Sequence, residues 1–265
     1  MTAAAGARTG GVVAVIAHPD DEALIAGGTL ALAATAGLPT GVVSLTRGEL
    51  GPISDRALAD ERTLGDVRER ELRVSGAILG VDWTRCLRHP DGELEWADAP
   101  TAGAELAGIL RPSRPAVLLT FGEDGLYGHE DHVATRRIAL WAATLLGPAG
   151  PLVYEAAWPA ARASELVAAV RERGLPASLW GLEPQAFGCD RDGPLTRLDV
   201  RGVLDRKLGA LRAHRTQLDD RHLLTALPDD LAARYLGEEA WHAADPASAD
   251  VLGDLLGAGA SWLSR

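Results

Sequence analysis

Short apolar runs recur along the first 160 residues, each followed by a stretch with helical spacing. GVVAVIA at 11–17 is continuous enough for a strand buried on both faces. A helix is expected over about 21–37, then a strand at 41–46, GVVSLT. The next helix is expected over about 58–79, with Leu64, Val67, Leu72 and Ile78 as its apolar face. Strands follow at 81–88, 116–121 (AVLLTF) and 151–157, separated by helices at about 102–110 and 131–146. Strand–helix alternation of this kind predicts an α/β fold: a Rossmann-like, doubly wound, mostly parallel sheet flanked by helices. In the common orders of such sheets the first and fourth strands are neighbours, and ligands bind beyond their carboxyl ends.

Beyond residue 158 the alternation weakens, and Pro159, Pro176, Pro184 and Pro194 interrupt it. A helix returns at about 201–214, and the tail from 247 reads as a terminal helix. The 265 residues are read as one domain, with 1–10 a flexible leader and about 158–265 completing the domain and a pocket wall.

The chain carries a formal charge of −11, which opposes nucleic-acid binding and, more mildly, an anionic membrane surface. No run of about 18 apolar residues exists to span a bilayer. Cys86 and Cys189 match no metal-binding spacing. They read as two buried thiols in a reducing, cytoplasmic setting.

Two segments carry chemistry. AHPDDEALIAGG, 17–28, places His18, Asp20, Asp21 and Glu22 in the turn after the first strand. A helix cap explains one aspartate but not the histidine and the second acid beside it. After the fourth strand come Tyr127, His129, Asp131 and His132. Two histidines three apart can be loop surface, but this pair sits where its turn can face the first. Catalytic zinc takes three imidazole or carboxylate ligands and keeps one position open. His18, Asp21 and His132 would make such a set, leaving Asp20 as a base and His129 as a polar group near a reacting carbonyl.

HPDDE at 18–22 and GHEDH at 128–132 resemble the LmbE-like family of zinc-dependent deacetylases and amidases. TRGELG at 46–51, Arg68 with Glu71 and Leu72, Asp91-Gly92, and KLGALRAHRTQ at 207–217 extend the likeness over roughly 12–220. The family includes N-acetylglucosaminyl-phosphatidylinositol de-N-acetylases, mycothiol-pathway deacetylases and amidases, bacillithiol-pathway deacetylases and antibiotic-tailoring deacetylases. The resemblance implies Zn2+, or Fe2+ or Co2+, on His18, Asp21 and His132. It implies Asp20 as general base toward a zinc-activated water that attacks an N-acyl amide, typically N-acetyl on an amino sugar. It further implies His129 as the acid or oxyanion donor, Asp131 as the group that tunes His129, and Tyr127 as a carbonyl polariser. Arg68 and Asp91 match positions that touch substrate hydroxyls. Glu130 departs from the proline common there, and the membrane-bound branch is disfavoured, since no anchor is visible in this sequence. A small-molecule partner is implied.

The alternatives are an amidase for larger thiol conjugates and a non-catalytic metal- or sugar-binding protein. Gly27-Gly28 lacks the GxGxxG context of a dinucleotide site. Ser44, Ser54 and Ser75 lack a nucleophile elbow. His214 reads as structural, and His89, His222 and His242 have no motif.

Overall fold

The computed structural model describes residues 10–219, 222–249 and 251–257. The proposed leader lies, apart from Gly10, outside the described residues. Seven strands form one sheet in the order β3-β2-β1-β4-β5-β7-β6. They are β1 (Val12–Ile16), β2 (Thr40–Ser44), β3 (Trp83–Cys86), β4 (Val117–Thr120), β5 (Leu152–Ala157), β6 (Leu195–Asp199) and β7 (Glu238–Ala243). The first five are mutually parallel, and β7 runs antiparallel to both β5 and β6.

β1 lies at the centre because all five of its residues are apolar and buried, which suits a strand covered on both faces. The chain winds outward from β1 through β2 to β3, then returns to place β4 on the other side of β1. That reversal opens a crevice beyond the carboxyl ends of β1 and β4. Right-handed crossovers send the later helices to the opposite face. Accordingly α1 (Gly27–Thr35), α2 (Leu64–Leu79) and α7 (Leu204–Ala213) pack together, and α3 (Ala99–Leu110) packs on α5 (Glu130–Leu146). The remaining helices are α4 (Gly125–Gly128), a single kinked turn, α6 (Ala160–Glu172), α8 (Asp229–Tyr235) and the terminal α9 (Val251–Leu255).

Three differences from the sequence reading have local causes. The helix expected from residue 58 begins at Leu64, because the Asp60 carboxylate accepts hydrogen bonds from the Arg62 and Thr63 amides and the Thr63 hydroxyl, locking a turn there. It ends at Gly80, whose φ of +79° suits a glycine cap. Its buried face is also not the expected one. Ile78 is 36% exposed and Val67 only half-buried, whereas Arg68, Glu71 and Ser75 are buried with Leu64, Leu72 and Leu79. That face looks into the crevice region, so it carries polar groups. Finally, β6 and β7 extend the sheet past β5. β7 reads EEAWHA, and its Glu239 is buried because Lys207, the Gly28 and Thr29 amides and the Thr29 hydroxyl all reach it. Gly28 sits so close to Val200 that a Cβ there would meet it at 2.5 Å.

The thiols are free, but only Cys86 is half-buried; Cys189 is exposed, against the expectation of two buried thiols. No helix among the described residues is long and apolar enough to cross a membrane.

Candidate active site

The turn after β1 tightens on itself: the His18 amide donates to Asp21 Oδ2 at 2.8 Å. Between them Asp20 adopts φ +136°, a conformation that side-chain-bearing residues rarely hold and that costs on the order of 1–3 kcal/mol. The turn after β4 delivers His129 as the N-cap of α5, its Nδ1 accepting the Asp131 amide at 3.2 Å. One turn in, His132 is fully buried and stacked on Phe121, ring centroids 3.9 Å apart.

These two turns meet. His132 Nε2 lies 3.3 Å from Asp21 Oδ1, and His18 Nδ1 lies 3.4 Å from Asp21 Oδ2. One ligand atom from each of His18, Asp21 and His132 falls within 4.8 Å of the others. His132 Nδ1 is held at 3.0 Å by the Gly125 carbonyl, so the proton sits there and the Nε2 lone pair faces the cluster. Buried Nε2 has no hydrogen-bond partner, which is costly unless something accepts that lone pair. His18 is held likewise from behind, its Nε2 lying 3.1 Å from Asp91 Oδ1 and 3.2 Å from Asp131 Oδ2. Two imidazole nitrogens and one carboxylate, oriented by outer hydrogen bonds, fit a divalent metal.

The charges agree with this. Burial would lower the His18 pKa, but the Asp131, Asp21 and Asp91 carboxylates outweigh it and raise it well above the usual range. Burial would raise Asp21, yet His132 and His18 hold it well below. The pocket therefore draws positive charge.

Asp20 behaves differently from its neighbour. Burial lifts its carboxyl to about 6, against the pull of Arg68, whose Nη2 is 3.2 Å from Asp20 Oδ2. Burial lowers His129 to about 4, with His132 and His18 adding to the effect. Burial, with Asp21 and Asp20 nearby, pushes the Tyr127 phenol up.

A cavity of about 370 Å³ opens over these groups. His18, Asp20, Asp21, Tyr127 and His129 face it, as do Arg68 and Asp91. The two residues that the sequence assigns to substrate contacts, both on the cavity, also have partners within the protein. Arg68 donates to the Gly48 and Pro19 carbonyls at 2.8 and 2.7 Å besides facing Asp20. Asp91 takes the Leu50 amide at 2.8 Å and faces His18. The Asp131 carboxylate faces His18 and accepts the Gly92 and Leu94 amides, while only its backbone amide reaches His129. The carboxylate thus has its direct side-chain partner in His18, while its charge also acts on His129, opposing the fall of that imidazole's pKa.

Three participants had no assigned role in the sequence, Trp180 reading only as a core or pocket-wall residue. Trp180, at φ +51°, lines the cavity from a proline-flanked stretch with no motif. Gln217, which ends the 207–217 segment, also lines it. Glu22 is fully buried under the turn, and its role depends on His214, far along the chain, which no local pattern reveals.

Residues 13–143 match the family model described as PIG-L: GlcNAc-PI de-N-acetylase. The 1D-myo-inositol 2-acetamido-2-deoxy-alpha-D-glucopyranoside deacetylase of Acidothermus cellulolyticus is 36% identical over 249 residues, covering 85% of each chain. Among solved structures, the N,N'-diacetylchitobiose deacetylase of Pyrococcus horikoshii superposes with a TM-score of 0.59 at 19% identity, covering 89% of this chain and 84% of that one. The 4-carboxy-2-hydroxymuconate hydratase of Pseudomonas putida reaches 0.61 at 21%, covering 90% and 97%. Likeness at that level speaks for the fold alone, since one fold hosts several chemistries. The identity over most of its length and the family match across both histidine-bearing turns settle its kinship: this chain belongs to the PIG-L family of N-deacetylases.

Proposed function

We propose that this chain is a zinc hydrolase that removes acetyl from the glucosamine nitrogen of a small sugar conjugate. The observation that carries the reading is the convergence of His18, Asp21 and the buried His132, whose Nε2 makes no hydrogen bond, with His18, Asp20, Asp21 and His129 facing one cavity. A divalent metal held by the first three supplies Lewis-acid polarisation of the carbonyl and acidifies water; Zn2+ suits the donors best, with Fe2+ and Co2+ as substitutes.

The chain's own groups supply the rest. Asp20, with its carboxyl lifted to about 6, takes the proton of the attacking water and then returns it to the leaving amine. His129 Nδ1 is occupied by the Asp131 amide, so in the neutral ring the proton sits on Nε2, ready to donate to the developing oxyanion. Its low pKa supports a neutral donor. Tyr127 keeps its proton and adds a second donor. Asp131 and Asp91 hold His18 in the tautomer that leaves Nδ1 free for metal. Arg68 fixes the turn that carries Asp20 rather than gripping substrate.

The relative from Acidothermus cellulolyticus supports an N-acetylglucosaminyl inositol as substrate, and the free thiols support a cytoplasmic site of action. The test is acetate release from that conjugate, from N-acetylglucosamine and from acylated thiol conjugates, with zinc-loaded protein. The inositol conjugate is expected to turn over fastest. Cleavage of the thiol conjugates alone would favour the larger-amide amidase, and no acetate from any acetylated sugar would reject the proposal.

A further inference from the structure

Beneath the catalytic turn lies a buried assembly that the reaction as described does not use. Glu22, Ser75 and His214 are each fully buried. Glu22 Oε1 accepts the Ser75 hydroxyl at 2.5 Å and lies 2.7 Å from His214 Nε2. Its other oxygen, Oε2, accepts the backbone amide of Asp20 at 3.1 Å. Three elements thus meet on one carboxylate: the turn after β1, the inner face of α2, and the residue that caps α7.

The residue whose amide is gripped is the one at φ +136°. A backbone in that conformation persists only where its surroundings hold it. Arg68 takes the Pro19 carbonyl on the preceding side, and Glu22 takes the Asp20 amide on the following side. The peptide before Asp20 is therefore held at both its carbonyl and its amide. Relaxing it would rotate the Asp20 side chain away from the cavity, while His18 and Asp21 have their own restraints through Asp91, Asp131 and His132.

We infer that Glu22, clamped by Ser75 and His214, is a positioning residue that aims Asp20 and leaves the metal ligands unaffected. This rests on Asp20 being the proton-transfer group. Glu22→Gln keeps size but turns one acceptor into an NH2 group that confronts the Asp20 amide, the Ser75 hydroxyl or the His214 ring. Misaiming a reacting group by about 1 Å costs on the order of 100-fold.

The experiment compares Asp20→Asn, Glu22→Gln and the double variant, zinc-loaded and full-length, by kcat, KM, zinc content and Tm. The expected result for Glu22→Gln is kcat down about 10- to 100-fold with KM and zinc content near parental. Combined with Asp20→Asn it should add nothing, because the two act as one unit. A parental kcat in Glu22→Gln, or an undiminished further loss in the double variant, overturns the inference. A parental rate in Asp20→Asn overturns the base assignment itself, and the inference with it. If Glu22→Gln fails to fold, Ser75→Ala replaces it in the same cycle, with a smaller kcat loss expected and a parental kcat again decisive against it.

Discussion

Two buried charge clusters flank the first helix, and they are satisfied to different degrees. At one, Lys207 Nζ lies 2.6 Å from Glu239 Oε1, and Glu239 also takes the Gly28 and Thr29 amides at the start of α1 and the Thr29 hydroxyl. Charge meets charge, and the carboxylate sits where the helix dipole favours it. At the other, around His18, three carboxylates crowd one imidazole, a buried imidazole nitrogen makes no hydrogen bond, and a non-glycine residue is held at positive φ. A cluster complete in itself needs nothing from outside and serves stability. A cluster left short of positive charge keeps its frustration for a ligand and a reaction.

Removing Asp20's basicity is the sharpest way to test the second half of that comparison. Asp20→Asn keeps shape but cannot accept a proton near neutrality. Its deacetylation rate should fall about 100- to 10,000-fold with zinc retained, as measured by metal content beside turnover. Asp21→Asn, one residue on, should instead lose zinc and regain part of its activity in excess metal.

The complete cluster should fail differently. Lys207→Met leaves Glu239 buried without its cation, which typically costs about 3–5 kcal/mol. Urea unfolding should show that loss, while kcat per folded, zinc-loaded molecule stays near parental. A large fall in kcat at unchanged stability would erase the distinction between the two clusters.

Asp131→Asn has a smaller expected effect. It keeps only one of the two acceptors that hold the Gly92 and Leu94 amides and weakens the hold on His18. Zinc affinity should drop about 10- to 100-fold, read by chelator competition. If zinc binding is untouched and only turnover falls, Asp131 acts on His129 after all.

How much of this was readable in the chain follows from where each residue's partner lies. β1, β2 and β4 announce themselves because parallel strands buried on both faces are plain apolar runs. β7 does not, since a strand reading EEAWHA becomes sensible only once Lys207 and α1 cover Glu239. Both histidine-bearing turns could be placed at the sheet edge from their positions after strands, and the structure brings them together. Arg68 and Asp91, both on the cavity, show the limit. Sequence displays a charge but not the carbonyls or imidazole that occupy it. Glu22 was passed over for the same reason, its ring partner being 192 residues away.

His222 tests whether every unpartnered buried group signals function. Its ring packs on Trp180, which lines the cavity, with centroids 4.7 Å apart, and its Nε2 has no hydrogen-bond partner. Unlike His132, it has no carboxylate of a ligand cluster opposite that nitrogen, and burial pulls its pKa from 6.5 down to about 4. The sign follows from which state binds the proton. Above pH 6.5 neither folded nor unfolded chain is protonated at His222, so the group costs nothing through titration. As pH falls from 6.5 toward 4, the unfolded chain takes up a proton that the folded one refuses, and the fold loses stability. His222→Phe keeps a ring against Trp180 and removes that loss. Its stability relative to the parent should therefore rise by about 1–2 kcal/mol between pH 7 and pH 5, as read by urea midpoints at the two values. Turnover at neutral pH should stay near parental, because the nitrogen holds neither metal nor substrate. A pH-independent difference would mean that the ring takes up its proton as readily in the fold as in the unfolded chain, and a lost rate would move His222 into the site.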